Sequence, residues 1–310
     1  EALGRARSQT LADLEILVVD GGSSDSTRDR VRTASREDAR VRLLDNPDRI
    51  QSAALNIGLG EARGEVLVRL DGHSFVGPGY VARVLHDLEA TGASGVGGRM
   101  QALPGVDDKT RGFAVANRAT WGAGPAAFHR ATEPGPADTV YLGSYPVDEL
   151  QRVGGWDADL ATNEDYELNY RLRQSGKVLW YDPELVVEYQ PRATYRSLAR
   201  QYRRYGEGKA RMLARHPESI RPRQLAPALG IPAATGAWVV AGPFGPAVLG
   251  ATHAGGLAAA SWSSRPPSLA AGAHAAAAAF TMHWSWSAGF WWGGARGATR
   301  RLATVGRHRR

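Results

Sequence analysis

The branched apolar run Val66-Leu67-Val68-Arg69-Leu70 stops at Asp71-Gly72-His73-Ser74, and this constrains what the chain can fold into. Such a run reads as a strand buried in a parallel sheet. Ligands of open α/β sheets bind outside the carboxyl ends of the strands. A carboxylate and an imidazole two residues apart can both face a divalent cation carrying a diphosphate there, with Gly72 letting the backbone turn tightly. A strand followed by an ordinary polar turn fits the same residues, so the flanking segments have to decide.

They alternate. Residues 1–12 have a helical pattern, and Leu14-Glu15-Ile16-Leu17-Val18-Val19-Asp20 reads as a strand. The loop Gly21-Gly22-Ser23-Ser24-Asp25 opens a helix with Ser24 or Asp25 as its N-cap. Residues 41–44 form a short strand and 50–62 a helix before the run that ends at Asp71. Strand–helix alternation of this kind argues for a doubly wound α/β sheet. Further on, the pattern predicts a helix over 79–91 and a strand over 95–102. The Gly, Pro and Ala of residues 103–137 predict a long irregular excursion over the active face. Order resumes over 147–153, followed by a helix over 163–175, strands over 178–181 and 186–189, and a basic amphipathic helix over 195–214.

Charge divides the 310 residues unevenly. Residues 1–191 carry 21 basic and 29 acidic side chains, whereas residues 192–310 carry 17 and 2. A basic tail fits an anionic membrane surface or nucleic acid. No aromatic stacking platform on a sheet is evident, so nucleic acid is not an expected partner. Only 3 of the 38 cations are Lys, the mark of a GC-rich coding bias, which weakens the argument from arginine. Absence of cysteine excludes disulfides and Cys-ligated zinc.

Residues 224–264 and 266–295 contain no Asp, Glu, Lys or Arg. Each stretch exceeds the ~20 residues needed to cross a hydrocarbon core. Trp284, Trp286, Trp291 and Trp292 crowd one end of the second, as interfacial aromatics do. The expectation is two membrane spans near 227–249 and 269–292, with Arg265-Pro266-Pro267 in an outer loop and both basic flanks in the cytoplasm. Two buried Ala-rich helices would give the same composition. The chain is thus expected to divide into residues 1–223, a membrane-associated helical region 224–295 and a basic cytoplasmic tail 296–310.

Four groups of side chains could carry chemistry. Asp20 and Asp71 each end a strand, although a strand-terminal Asp is often only a turn former. Glu164 and Asp165 open a helix, where the dipole favours acids in any case. One of them could instead face a substrate as a general base. Gln201, Arg204 and Tyr205 share one face of the basic helix, which is either a solvated face or a diphosphate clamp.

In this order the groups resemble the GT-A family 2 glycosyltransferases, in particular the branch of succinoglycan-biosynthesis glucosyltransferases of bacterial exopolysaccharide pathways. The resemblance runs from about Leu14 to the C-terminus. It rests on Val19-Asp20-Gly21-Gly22-Ser23-Ser24-Asp25, Ala54-Leu55-Asn56-Ile57-Gly58, Leu70-Asp71-Gly72-His73, Asn163-Glu164-Asp165-Tyr166-Glu167-Leu168 and Gln201-x-x-Arg204-Tyr205. Met282-His283-Trp284 and Gly289-Phe290-Trp291 also fit that branch.

The resemblance implies that Asp20 contacts the uridine and that Asn56 shapes the nucleotide pocket. Asp71 would bind the donor and, with His73, a divalent cation, Mn²⁺ or Mg²⁺, in place of the family's Asp-x-Asp motif. Asp165 would be the catalytic base with Glu164 beside it, and Gln201, Arg204 and Tyr205 would hold diphosphate or acceptor. Three departures stand out. Gly21 occupies the place of a frequent second Asp. His73 replaces a carboxylate, and imidazole suits Mn²⁺ better than Mg²⁺. The family's first strand would lie upstream of Glu1. The implied activity is inverting transfer of a hexose from a nucleotide-sugar, UDP-linked, to a lipid-diphosphate-linked saccharide at the cytoplasmic face of the cell membrane. A nucleotidyltransferase, and a catalytically impaired membrane scaffold, are the rival readings.

Overall fold

The early alternation becomes a parallel pair. In the computed structural model, which describes residues 1–103, 105–124, 126, 128, 131–219 and 225–307, β1 (Ile16–Asp20) lies beside β2 (Val41–Asp45), with Ile16 opposite Val41 and Asp20 opposite Asp45. The helix α1 (Ala2–Arg7) precedes them, and α2 (Thr27–Glu37) makes the crossover that a parallel pair requires. Val31 and Ala34, three residues apart on one face of α2, pack with Val41, Ile16, Val18 and Leu43. Gln51–Glu61 forms α3. The strand expected over 66–70 contributes only Val66–Leu67 (β3) to a ladder, with Val68 to Asp71 continuing beyond it.

The second sheet corrects the doubly wound expectation. Its strands are β3, β4 (Ser74–Val76), β5 (Gly95–Ala102), β6 (Gly135–Pro136), β7 (Tyr141–Pro146) and β8 (Leu179–Tyr189). The order is β3-β7-β5-β8-β4, with β6 also on β8. The pairs β3–β7, β5–β7, β4–β8 and β6–β8 are antiparallel. The helix α4 (Tyr80–Thr91) buries Tyr80, Val84 and Leu88 with Val96, Leu142, Leu185 and Val187. Strand β8 continues through Pro183, where two separate strands were expected. It pairs with β6 at Trp180 and Tyr181 and with β4 from Val187 onward. The proline thus falls between the two ladders, and the next amide, that of Glu184, is satisfied by Asp182 Oδ1 at 2.9 Å.

Inside the stretch expected to be irregular lies α5 (Asp108–Arg118). Asp107 caps it, accepting from the Thr110 amide at 2.7 Å, while Thr110 Oγ1 accepts from the Asp107 amide at 3.3 Å. This reciprocal box was a readable start signal. Helices α6 (Val147–Arg152) and α7 (Glu164–Gln174) place Leu150, Leu168 and Leu172 around Trp156, Tyr145 and Leu179.

The chain forms two units, residues 1–101 with 126–190, and residues 102–125 with 191–310. The boundary expected at 223 therefore falls inside the second unit. In that unit α8 (Tyr195–Arg215), α9 (Gly230–Ala241), α10 (Phe244–Ser263) and α11 (Leu269–Arg307) follow one another. Helices α8 and α11 pack at close range. A Cβ on Gly206 would meet the Trp286 carbonyl oxygen at 2.1 Å, and one on Gly289 would meet that of Arg203 at 2.0 Å. Ala271, Ala275, Ala278, Ala279 and Met282 of α11 are fully buried.

These helices correct the two expected spans. Among the described residues, no helix is long and apolar enough to cross a membrane. The segment 227–249 is broken at Gly242, whose φ of 57° and ψ of −147° are open to glycine alone, and at Pro243. The 12 residues of α9 extend only about 18 Å at 1.5 Å per residue, against a hydrocarbon core of about 30 Å. The second segment, 269–292, spends its alanine face on packing within the unit. Absence of charge reflected small-residue helix packing there.

Candidate active site

The first unit gathers its charged side chains where β3 runs out and α7 begins. Arg69, two residues beyond β3, is only 5% exposed. Its Nε donates to Asp71 Oδ1 at 2.9 Å and its Nη2 to Asp71 Oδ2 at 3.4 Å. Nη1 donates to Asp165 Oδ1, and Nη2 stands 3.6 Å from Glu164 Oε1. One guanidinium thus spans three carboxylates, as the planar fork of arginine permits. An arginine inside an apolar run was the available signal, since arginine is rarely fully buried unless paired.

Trp156 provides the second hold on Asp165, donating from Nε1 to Oδ1 at 3.2 Å. Both donors converge on that oxygen. Oδ2 has no donor among the described residues, and a quarter of the Asp165 side chain is exposed. Trp156 is itself fixed by Asn56, whose Nδ2 donates to the Trp156 carbonyl at 2.7 Å and whose Oδ1 accepts from its amide at 2.8 Å. A Cβ on Gly155 would stand 2.5 Å from Asn56 Oδ1, and its φ is 69°, so this clasp needs glycine beside the tryptophan. Arg171, two turns into α7, ties the same loop through the carbonyls of Val153 and Gly155 and pairs with Glu167. Asn56, expected to shape a nucleotide pocket, thus spends its amide on the loop that positions Asp165.

Electrostatics follow from these contacts. Burial, then the charge of Asp165, pushes the Glu164 carboxyl up to about 7, with Arg69 opposing. Burial also raises Asp165, and the Arg69 guanidinium is the main force against it.

Asp20, at the end of β1, is in the opposite condition. Ser23 donates to it from Oγ at 2.5 Å and from its amide at 3.1 Å, Gly22 from its amide at 3.0 Å, and Arg28 from Nη1 at 2.8 Å. Led by the Ser23 hydroxyl, these contacts lower its carboxyl to about 2. Arg28 also reaches Asp45 at 2.7 Å. Arg49, exposed and at a φ of 57°, lays its guanidinium against Gly22.

Asp71 is partly exposed and takes a further bond from Gln51 Nε2 at 3.1 Å, while His73 lies exposed in the following turn. Among the described residues, no group of three His, Asp or Glu side chains could hold a metal ion by itself. One carboxylate with one imidazole suits a cation that brings most of its ligands with it, as metal–diphosphate pairs do. Gln201, Arg204 and Tyr205 lie on α8 in the second unit, where Gln201 Nε2 donates to the Tyr205 hydroxyl at 2.8 Å.

A parallel β1–β2 pair and a second sheet with antiparallel pairs, with carboxylates at the ends of their elements, fit a GT-A type α/β sugar transferase. The chain belongs to glycosyltransferase family 2. Residues 1–128 match the model of that family, Glycosyl transferase family 2. Succinoglycan biosynthesis protein ExoA of Rhizobium meliloti is 35% identical over 293 residues, covering 92% of this chain and 87% of that protein. A dolichyl N-acetyl-alpha-D-glucosaminyl phosphate 3-beta-D-2,3-diacetamido-2,3-dideoxy-beta-D-glucuronosyltransferase of Methanococcus voltae is 25% identical over 207 residues, 64% of each chain. Among solved structures, the mannosyltransferase PcManGT of Pyrobaculum calidifontis in complex with GDP-Man and Mn²⁺ aligns with a TM-score of 0.57. It is 20% identical, and the alignment covers 91% of this chain and 82% of that one. This likeness speaks for the fold alone. Family membership sets aside the nucleotidyltransferase reading.

Proposed function

We propose that this enzyme transfers a hexose, with inversion, from a UDP-sugar to a lipid-diphosphate-linked saccharide in the synthesis of an exopolysaccharide or cell-surface glycan. The observation that carries the reading is the state of Asp165. One of its oxygens is pinned by Arg69 and Trp156, while the other has no donor among the described residues, on a side chain that is a quarter exposed. A carboxylate so held can take a proton from an acceptor hydroxyl without reorienting. Attack on the anomeric carbon from the face opposite the leaving diphosphate inverts it, and no covalent intermediate on the protein is required.

Asp71 and His73 would hold the divalent cation, Mn²⁺ or Mg²⁺. When bound, that cation neutralises the departing diphosphate. ExoA and the Methanococcus voltae transferase support a glycan pathway and a lipid-linked acceptor, and the GDP-Man and Mn²⁺ carried by PcManGT support a nucleotide-sugar and a metal. Asp20 as the uridine contact, and Gln201, Arg204 and Tyr205 as holders of diphosphate or acceptor, belong to the same proposal.

A lipid-linked acceptor requires contact with the cytoplasmic face of the cell membrane. Trp238, Val239, Val240, Phe244, Val248 and Trp262 are each more than half exposed, Val240 at 88%. Their helices carry no charged residue, which supports surface association without a span. The deciding experiment incubates the protein with Mn²⁺, a panel of UDP-hexoses and a lipid-diphosphate-linked saccharide, and measures free UDP with the anomeric configuration of the product. Release of UDP with an inverted product is expected. Retention of configuration would contradict the mechanism, and the absence of UDP release across the panel would favour the scaffold.

A further inference from the structure

We propose that Arg69 is a positioning residue that closes the cation site to free metal and leaves it open to metal arriving with its diphosphate. This rests on the reading of Asp71 as a metal ligand. The two oxygens of Asp71 are unequally occupied. Oδ1 accepts from Arg69 Nε at 2.9 Å and from Gln51 Nε2 at 3.1 Å, which occupies both of its lone pairs. Oδ2 takes only the longer contact from Arg69 Nη2 at 3.4 Å. Of the two Asp71 oxygens, only Oδ2 is therefore left for a cation, beside a fixed positive charge.

That charge cannot move away easily. Arg69 is 5% exposed and is tied on its other nitrogens to Asp165 and Glu164. An arginine keeps its proton under all ordinary conditions. Without it, the negative charge beside Asp71, chiefly that of Asp165, would have nothing to offset it and would favour a bare dication at Oδ2. With it, a dication coming alone meets repulsion and only one open oxygen. A dication carrying a nucleoside diphosphate brings negative charge and oxygen ligands of its own, which offset both. The enzyme would thereby avoid holding metal in a state that cannot react. Metal and nucleotide affinities become coupled, each raising the other by the same factor.

The test uses Mn²⁺ as the probe, followed by electron paramagnetic resonance of the free ion, with and without UDP. Wild-type protein should bind Mn²⁺ weakly alone and at least 10-fold more tightly with UDP. Arg69→Gln, which removes the charge and keeps donors, should bind Mn²⁺ alone at least 10-fold more tightly than wild type. Arg69→Lys keeps the charge and should retain the wild-type coupling, which a merely structural role would not predict. Should Arg69→Gln fail to fold, Gln51→Leu serves instead. It frees one lone pair at an exposed position and should tighten Mn²⁺ alone about 2- to 3-fold. Equal affinity of wild type for Mn²⁺ with and without UDP overturns the inference but leaves the metal reading intact. So does an Arg69→Gln or Gln51→Leu protein that gains nothing. Mn²⁺ that binds neither alone nor with UDP overturns the metal reading and the inference with it.

Discussion

Asp20 and Asp165 both stand at the end of a regular element in the same unit, and their surroundings push them in opposite directions. Four donor groups, two of them backbone amides, converge on Asp20 and lower its carboxyl to about 2. Two donors share one oxygen of Asp165, and burial raises its carboxyl. The first is held by its own loop and stays ionised near neutral pH. The second keeps an open oxygen. Environment, more than residue type, separates a carboxylate that holds a loop from one that can act as a base.

The sharpest way to break this contrast lies between the two groups, at Asp71. Asp71→Ala should abolish metal-dependent UDP binding, whereas His73→Asp should keep it and shift preference from Mn²⁺ toward Mg²⁺. Isothermal titration with each metal reads both. UDP binding to Asp71→Ala with undiminished metal dependence would remove Asp71 from the cation site.

A smaller effect is expected at Asp20. Its lowered carboxyl stabilises the fold above the unfolded value near 3.8, and that contribution is lost as pH falls toward about 2. Asp20→Asn should be less stable by about 1–3 kcal/mol at pH 7, with the gap closing between about pH 4 and pH 2. Urea denaturation across that range measures it. A gap that persists at pH 2 would mean that charge is not what the Ser23 and Arg28 contacts stabilise.

Glu164 sharpens the contrast from the other side. Its carboxyl is raised from 4.5 to about 7, so the folded state prefers it protonated. The sign is the reverse of that at Asp20: wild-type stability relative to Glu164→Gln should fall as pH rises from about 4.5 to about 7, then level off. Urea midpoints at pH 5 and pH 8 are sufficient. A wild-type protein that gains on Glu164→Gln with rising pH would reverse the burial argument.

Much of this was legible in the sequence, for identifiable reasons. Asp20, Asp71 and Asp165 announce themselves because each ends an apolar run or opens a helix, and the family pattern sets them in order. Arg69 reads as a plain member of the strand, although a cation among Val and Leu has to find partners. Helix α5 was hidden by glycine and alanine, and only the Asp107-x-x-Thr110 box marked its start. The antiparallel pairings joined strands distant in sequence, which local periodicity does not register. The C-terminal helices misled most. Their lack of charge reads as membrane, while Gly206, Gly289 and the buried alanines of α11 use small size for close packing in the second unit.

The central claim is that Asp165 is the base and takes no part itself in donor binding. Asp165→Asn keeps the shape and can still accept from Arg69 and Trp156, but it cannot take the proton. Turnover measured as UDP release, beside UDP–Mn²⁺ affinity of the same protein, tests this most directly. Turnover should fall roughly 10²–10⁴-fold with affinity little changed. An Asp165→Asn enzyme that turns over at the wild-type rate would contradict it.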